Sequence, residues 1–461
     1  MSAVERLRAS PKPGTSKPIP DVVQRVIDQL PEHAEAASRM LPAECYTSPE
    51  FFEFERQYVF ARSWICVGRI EQIPNPGDCF SVQVAGEPVL ITRDNAGKIN
   101  ALVAICRHRG QVIPCAANQK TLRCPLHFWT YDLEGKLIGA PRMGQEETAA
   151  LRNSQKLPTL QLELWHGFIF VNLDAEAKPL APSLAKVEPF WDGYEKADLV
   201  GIPPRRADKP LPWNWKVHVE NFTDAYHPEF VHRGTHDFAP SVLEEGGVVF
   251  TEMEAGDNAI VRTVPMLRPD GGMMKDGWGE TPAFPPITTI SGAQRQRLTF
   301  VMIPPSMTMV FAPNAIAFTL VSVTGVEATY ASSDRQTAGG WLLPRSTMEL
   351  ADFAERAALV LEGGEKYGRR TSPKTWACRG EKSRPLPPTV STVRLKQHSF
   401  NSMNGCLRHT GADGRHFPEV SLAHADLTKL VLNSSRPPQE FIYSSDLCMA
   451  HGKIAHFAGW R

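Results

Sequence analysis

Two pairs of side chains constrain this chain more than anything else in it: Cys106-x-His108 and Cys124-x-x-His127, within CRHRGQVIPCAANQKTLRCPLHFWTYDLEGKLIGAP. Thiolate and imidazole are metal ligands, so the fold has to bring two separated loops to one place. The flanking sequence has the means to do so. Short β-like runs, SWICVGRI, CFSVQVAG, EPVLITRD and INALVAIC, are separated by the turn clusters PNPGD, AGE and DNAGK. That pattern reads as a small antiparallel β domain whose loops carry the ligands. YDLEGKLIG, turning at Glu134-Gly135, reads as a closing hairpin, and LELWHGFIFVNL as a last strand pair ending the domain near residue 175.

Four such ligands can hold Zn²⁺ tetrahedrally, or a [2Fe–2S] cluster with two Cys on one iron and two His on the other. Structural zinc sites generally use pairs of one kind, C-x₂₋₄-C or H-x₃₋₅-H, whereas each pair here mixes a Cys with a His. The mixed order suits a cluster held between two loop tips, which is an electron relay. Cys115, between the pairs, is expected to be a buried thiol. Nine Cys in 461 residues form no disulfide framework.

Length and a 42% apolar content allow two or three domains. Lys plus Arg and Asp plus Glu both number 50, so no global basic field points to nucleic acid or a membrane. No charged n-region precedes an apolar run, and GFIFVNL is too short to span a bilayer, so the expected compartment is the cytoplasm. Residues 1–44, including PKPGTSKPIP, read as a mobile arm, and SPEFFEFERQYVFARSW as an amphipathic helix opening at Ser48. After AEAKPLAPS come a helical stretch to about 197, a longer one around WNWKVHVENFTDAYHPEFVH, and strands RLTFVMI, TMVFA and AIAFTLVSVTG. The expected organisation is α+β: an arm (1–44), a β domain (45–175), a second domain (176–362) and an atypical basic tail (363–461).

A second constellation lies in ENFTDAYHPEFVHRGTH: Asn221, Asp224, His227 and His232. Two His can supply two of three facial ligands to Fe(II). Five residues along a straight helix would set the rings about 140° apart. Pro228 disfavours the helical conformation in the residue before it, so a helix ending at His227 and restarting beyond it can aim both rings inward. Asp224, three residues earlier, can hydrogen-bond and orient a ligand imidazole, with Glu220 and Asn221 supporting it. The same segment also fits a polar helix with hydrogen-bonded core histidines, and His236 reads as a neighbour.

CRHRG, CPLHFWTYDLEGKLIGAP and the pattern N-x-x-D-x-Y-H-x₄-H, matched by Asn221, Asp224, Tyr226, His227 and His232, resemble the large (alpha) subunits of Rieske non-haem iron aromatic-ring-hydroxylating oxygenases, over roughly 45–360. The resemblance implies a Rieske domain followed by a helix-grip (START-like) catalytic domain, in a homotrimer that can carry a small beta subunit. It implies a [2Fe–2S] cluster on Cys106, His108, Cys124 and His127, and a mononuclear Fe(II) on His227 and His232. Asp224 would link a cluster histidine of one subunit to an iron histidine of the next. The activity implied is hydroxylation of an aromatic or other apolar substrate with O₂, to a cis-diol or an alcohol. No G-x-G-x-x-G follows a strand, so a separate NAD(P)H-dependent reductase, with or without a ferredoxin, is expected. In this family a small residue, often Gly, stands where this chain has Phe128. A Rieske electron carrier, an oxygenase inactive for want of its third iron ligand and a zinc-stabilised module are the alternatives.

A facial triad needs one carboxylate besides the two histidines, and in the family it is an Asp just ahead of a Q-x-G segment. No Asp occurs here between Asp352 and Asp413, leaving Asp352, Glu355 and Glu362 as substitutes. The resemblance runs through GWLLPRSTMELADFAERAALVLEGG and stops; residues 363–461 hold 15 Lys/Arg against 7 Asp/Glu and six of the 14 His. Such composition fits a disordered basic tail. It also fits a reading frame that slips near Gly364. Taking the last base of each codon with the first two of the next, YGRRTSPKTWACRG can be reread as WEEDVPKDMGVQR, with an Asp shortly before Gln where the third ligand belongs. PTVSTVRLKQHSFNSMNGCL can be reread as NRFDRPSETAFVQFNEWL, an amphipathic helix of the kind that closes these subunits.

Overall fold

The computed structural model describes residues 20–29, 41–202, 210–228, 249–267, 282–331 and 340–356, apart from scattered positions within these ranges, together with 239. Tyr226, His232, His236, Glu362 and the tail lie outside the described residues. The chain divides into two compact units, residues 1–17 with 55–181, and 18–54 with 182–461.

Three short helices open the described chain: α1 (Asp21–Gln29), α2 (Glu44–Thr47) and α3 (Pro49–Glu55), the last continued by a π turn, Arg56–Phe60. Ser48 Oγ accepts from Phe51 N, as its place before the helix led us to expect. α1 corrects the expectation of an unstructured arm. Val22, Val23 and Val26 share one face of it and are buried with Leu41, Cys45, Tyr46 and Phe51 against Trp213 and Val217. Residues 18–54 therefore go with the second unit, because their apolar surface finds its partners there. The short apolar face reads weakly between Pro-rich and polar flanks.

The first unit is built from β1 (Ile65–Arg69), β2 (Cys79–Val84), β3 (Glu87–Arg93), β4 (Ile99–Val103), β5 (Leu122–Arg123), β6 (Thr130–Tyr131), β7 (Leu137–Gly139), helix α4 (Gln145–Ser154), β8 (Gln161–Trp165) and β9 (Phe168–Asn172). The strands form three antiparallel sheets, β1-β9-β8, β2-β3-β4 and β5-β6-β7. β9, FIFVN, is buried along its whole length because it is the central strand of its sheet. The β8–β9 turn puts His166 and Gly167 at φ 45° and 78°, the double left-handed geometry a two-residue hairpin requires. Leu90, Leu102, Leu122, Trp129, Tyr131 and Leu137 form a core together with Cys106 and Cys124.

The second unit contains β10 (Leu199–Ile202), helix α5 (Trp215–Thr223), β11 (Val249–Phe250), β12 (Ile260–Pro265), β13 (Arg297–Ile303), β14 (Met307–Ala312), β15 (Ala315–Gly325), β16 (Ala328–Ala331) and β17 (Gly340–Pro344). One antiparallel sheet runs β10-β17-β15-β14-β13-β12-β11, with β16 on β15. β14 is buried throughout. α5 lies on β12 and β13: Phe222 and Phe300 rings meet edge to face at 5.8 Å, and Arg262 donates to Phe222 O at 3.2 Å. Between residues 188 and 197 the expected helical stretch is two separate 3₁₀ turns, Glu188–Trp191 and Glu195–Ala197, which Gly193 at φ 82° divides.

Candidate metal centres

Each Cys/His pair sits in a tight turn closed by the backbone of its own cysteine. Gly110 N donates to Cys106 O at 3.0 Å and Cys106 N to Gln111 O at 2.9 Å; Phe128 N donates to Cys124 O at 3.0 Å and Cys124 N to Trp129 O at 2.9 Å. The first turn follows β4 and the second joins β5 to β6. Both thiols are 2% exposed. The histidines meet: the His108 and His127 rings are 4.7 Å apart edge to face, and His108 stacks on Trp129 at 4.8 Å.

Burial raises the proton affinity of Cys106, against hydrogen bonds from Tyr131 and the His108 backbone, and Cys124 beside it raises it further. Burial, then the neighbouring His127 and Arg109, lower the proton affinity of His108. Two sulfurs thus face one another under the surface while two imidazoles, one of them held toward the neutral form, face one another at the tip. Like gathers with like, as a cluster with two thiolates on one iron and two imidazoles on the other requires, so the donor set fits [2Fe–2S]. Among the described residues no three His, Cys, Asp or Glu are gathered as a single-ion site.

Sequence reasoning missed Tyr131. Its hydroxyl accepts from Arg107 N at 3.0 Å and lies 3.3 Å from Cys106 Sγ, so its own proton is left to point at the sulfur. Cys115 corrects our reading: it is no buried thiol but is bonded to Cys79, with Cα atoms 6.2 Å apart. The bond ties the segment between the ligand pairs to β2, and Gln119 N adds a hydrogen bond to Gly77 O. Scanning for close Cys spacings could not show it, because 36 residues separate the partners.

In the second unit, Asn214 caps α5 by accepting from Lys216 N at 3.1 Å. The helix ends at Thr223 rather than at His227, because Asp224 leaves helical geometry (ψ 121°) and turns its carboxylate onto the chain ahead. Asp224 Oδ2 accepts from His227 N at 3.3 Å and lies 3.0 Å from His227 Nδ1; both side chains are nearly buried, at 14% and 13% exposure. An imidazole that gives its Nδ1 proton to a carboxylate keeps Nε2 as the lone-pair nitrogen, the form in which histidine binds a metal. Asn221 is on the last turn of the same helix.

Glu220 does not support Asp224. It takes a hydrogen bond from Tyr46 Oη of α2, near Lys216, and burial pushes its carboxyl up to about 7 against both. Asp352 is committed to Arg356 at 2.7 Å, and Glu355 is exposed.

Residues 63–160 match the family described as the Rieske [2Fe-2S] domain, and residues 192–330 the ring hydroxylating alpha subunit (catalytic domain). With both domains in this order, the chain belongs to the large subunits of the Rieske ring-hydroxylating oxygenases. It is 32% identical over 224 residues to the carnitine monooxygenase oxygenase subunit of Acinetobacter pittii, covering 47% of this chain and 58% of that one. To the large oxygenase component of the 2,4-dinitrotoluene dioxygenase system of Burkholderia sp. it is 32% identical over 237 residues, 49% of this chain and 48% of that one. The chain thus spans about half the length of these curated relatives. Its fold resembles naphthalene 1,2-dioxygenase from Rhodococcus sp. (TM-score 0.61, 20% identity, 76% of this chain and 83% of that one). It also resembles a quaternary ammonium Rieske monooxygenase described with carnitine oxidation and inter-subunit electron transfer (TM-score 0.56, 22% identity, 74% and 84%).

Proposed function

We propose that this chain is the terminal oxygenase component of a multi-protein system that hydroxylates an aromatic or other apolar substrate with O₂. The observation that carries the reading is the Asp224–His227 pair at the end of α5, in a chain that also holds two matched Cys/His turns. Cys106, His108, Cys124 and His127 would hold the cluster; His227 and His232 would hold mononuclear iron. When bound, the cluster supplies single electrons and the iron a site with open positions for O₂.

The chain's own residues have definable tasks. Asp224 holds the His227 proton on Nδ1 and so aims Nε2. Tyr131 offers a hydrogen bond to a ligand sulfur, which favours the reduced state. Trp129, stacked on His108, fixes the tilt of that ring. Electrons would come from NAD(P)H through a separate reductase, with or without a ferredoxin, and pass between copies of the chain in a homotrimer, with Asp224 bridging. Among the described residues no helix is long and apolar enough to cross a membrane. We further read the third iron ligand as encoded in a shifted frame beyond Gly364.

Purification tests the first half: a red-brown protein with acid-labile sulfide is expected, and a colourless zinc protein would sink the assignment. O₂ uptake with candidate aromatics and a surrogate reductase tests the second. In a chain with the frame restored beyond Gly364, Asp224→Asn should keep the visible spectrum and lose about 10–100-fold in turnover; undiminished turnover would refute the bridging role.

A further inference from the structure

Between Ile113, which donates to Ala104 O at 2.8 Å, and β5, the segment joining the two Cys/His turns rests on the turn before β2. Gln119 N donates to Gly77 O at 3.1 Å, and a side chain at Gly77, whose φ of 93° is left-handed, would meet Gln119 O at 3.1 Å. The covalent contact there is Cys79–Cys115. Both of these cysteines are half-buried and keep accessible surface, whereas Cys45, Cys66, Cys106 and Cys124 are buried. Burial pushes the Cys66 thiol up to about 12, so it gives no thiolate near neutrality. The sulfurs a reductant can reach on this unit are those of the bond.

The surroundings of Cys79 suit a sulfur that leaves. Gln119 Nε2 donates to Cys79 Sγ at 3.0 Å, and Ala116 O lies 3.3 Å from the same sulfur. A donor on a disulfide sulfur stabilises the charge gathered there as the bond breaks, and the carbonyl can accept the S–H proton once the thiol has formed. A bond that serves only as a clamp needs neither group.

We propose that Cys79–Cys115 is a thiol–disulfide exchange site, opened by small thiols of the glutathione class, and that its state sets how firmly the second Cys/His turn is held. The thiolate of one reductant molecule attacks Cys115 Sγ; the Cys79–Cys115 bond breaks and its electron pair leaves on Cys79. The thiolate of a second molecule attacks the reductant sulfur of the mixed disulfide, forming the reductant's own disulfide and releasing Cys115. The two protons given up by the reductant thiols end on Cys79 and Cys115, and two electrons have passed to the bond. In the open form the segment keeps its hydrogen bond from Gln119 to Gly77 but loses the covalent tie, so the Cys124–His127 turn beyond β5 gains freedom. The consequence rests on the reading that the two turns hold a [2Fe–2S] cluster.

The test treats the full chain, purified in air, with a glutathione redox buffer, quenches with acid, alkylates, and maps Cys79 and Cys115 by peptide mass. In parallel, visible absorption follows the cluster in the presence of an iron chelator. The bond should open in glutathione, which leaves structural disulfides closed, and the trapped glutathione adduct should sit on Cys115. Gln119→Leu should open several-fold more slowly. Once the bond is open, the chelator should strip the cluster about tenfold faster. The double variant Cys79→Ser/Cys115→Ser should lose its cluster at that faster rate with or without glutathione, which separates the switch from any direct attack of thiol on the cluster. A bond that stays closed, an adduct on Cys79, undiminished opening of Gln119→Leu, or a reduced protein that keeps its cluster as firmly as the oxidised one would overturn the proposal. Oxidised protein without acid-labile sulfide would overturn the cluster reading as well, so the two failures are told apart.

Discussion

At the scale of single residues, two hydroxyls decide local chemistry. Tyr131→Phe removes a hydrogen bond from the buried Cys106 sulfur, the proposed cluster ligand. The cluster potential should fall by on the order of 60 mV, the one-electron equivalent of a hydrogen bond of about 1.4 kcal/mol, measurable by spectroscopic redox titration. An unchanged potential would mean that the hydroxyl serves only Arg107 N. Tyr46 meets Glu220, whose carboxyl burial lifts from 4.5 to about 7. Because the folded value exceeds the unfolded one, this acid's contribution to stability is full below about pH 4.5 and is lost as pH rises through 7. Glu220→Gln keeps a neutral group at every pH. Wild type should therefore lose on the order of 1–3 kcal/mol relative to the variant between pH 4.5 and 7, followed by denaturant unfolding. A pH-independent difference would show that Glu220 does not titrate in this window.

At the scale of elements, the two Cys/His turns are set by short-range bonds but their mutual position is not. The β2–β3–β4 sheet and the segment before β5 are joined by Cys79–Cys115. Cys79→Ser and Cys115→Ser should each cost about 2–4 kcal/mol, and the double variant no more than either alone. Additive losses, or nine titratable thiols in the denatured apoprotein without reductant, would remove the bond from the account. α1 makes a similar connection in the second unit: Val23 is fully buried in the cluster that reaches Val217 on α5. Val23→Asp should strip α1 from that face, and the loss of about 2–4 kcal/mol should appear together with faster proteolysis near residue 29. A fully cooperative, unshifted transition would show that α1 is dispensable to the unit.

At the scale of the whole molecule, what the chain can do depends on its last hundred residues. The chain as written should carry about two irons in its cluster and little beyond, while a chain with the frame restored beyond Gly364 should carry about three and turn over. Metal analysis of both, with resequencing across the codons for Leu361 to Glu381, decides this; three irons in the unaltered chain would defeat the frame reading. The sequence by itself determined the two Cys/His turns, the strands around them and the helix leading to Asp224, because ligand spacing, period-two alternation and capping act over a few residues. It also carried the family, since both motifs lie in order along one chain. Only the tertiary structure decided that α1 packs on α5, that Cys115 pairs with Cys79, that Glu220 answers to Tyr46 rather than Asp224, and that α5 stops at Thr223. The first three join residues 36 to about 190 positions apart, and contacts that distant leave no local period or spacing to read. The last turned on one carboxylate's choice between water and the backbone of His227, which only the folded environment settles.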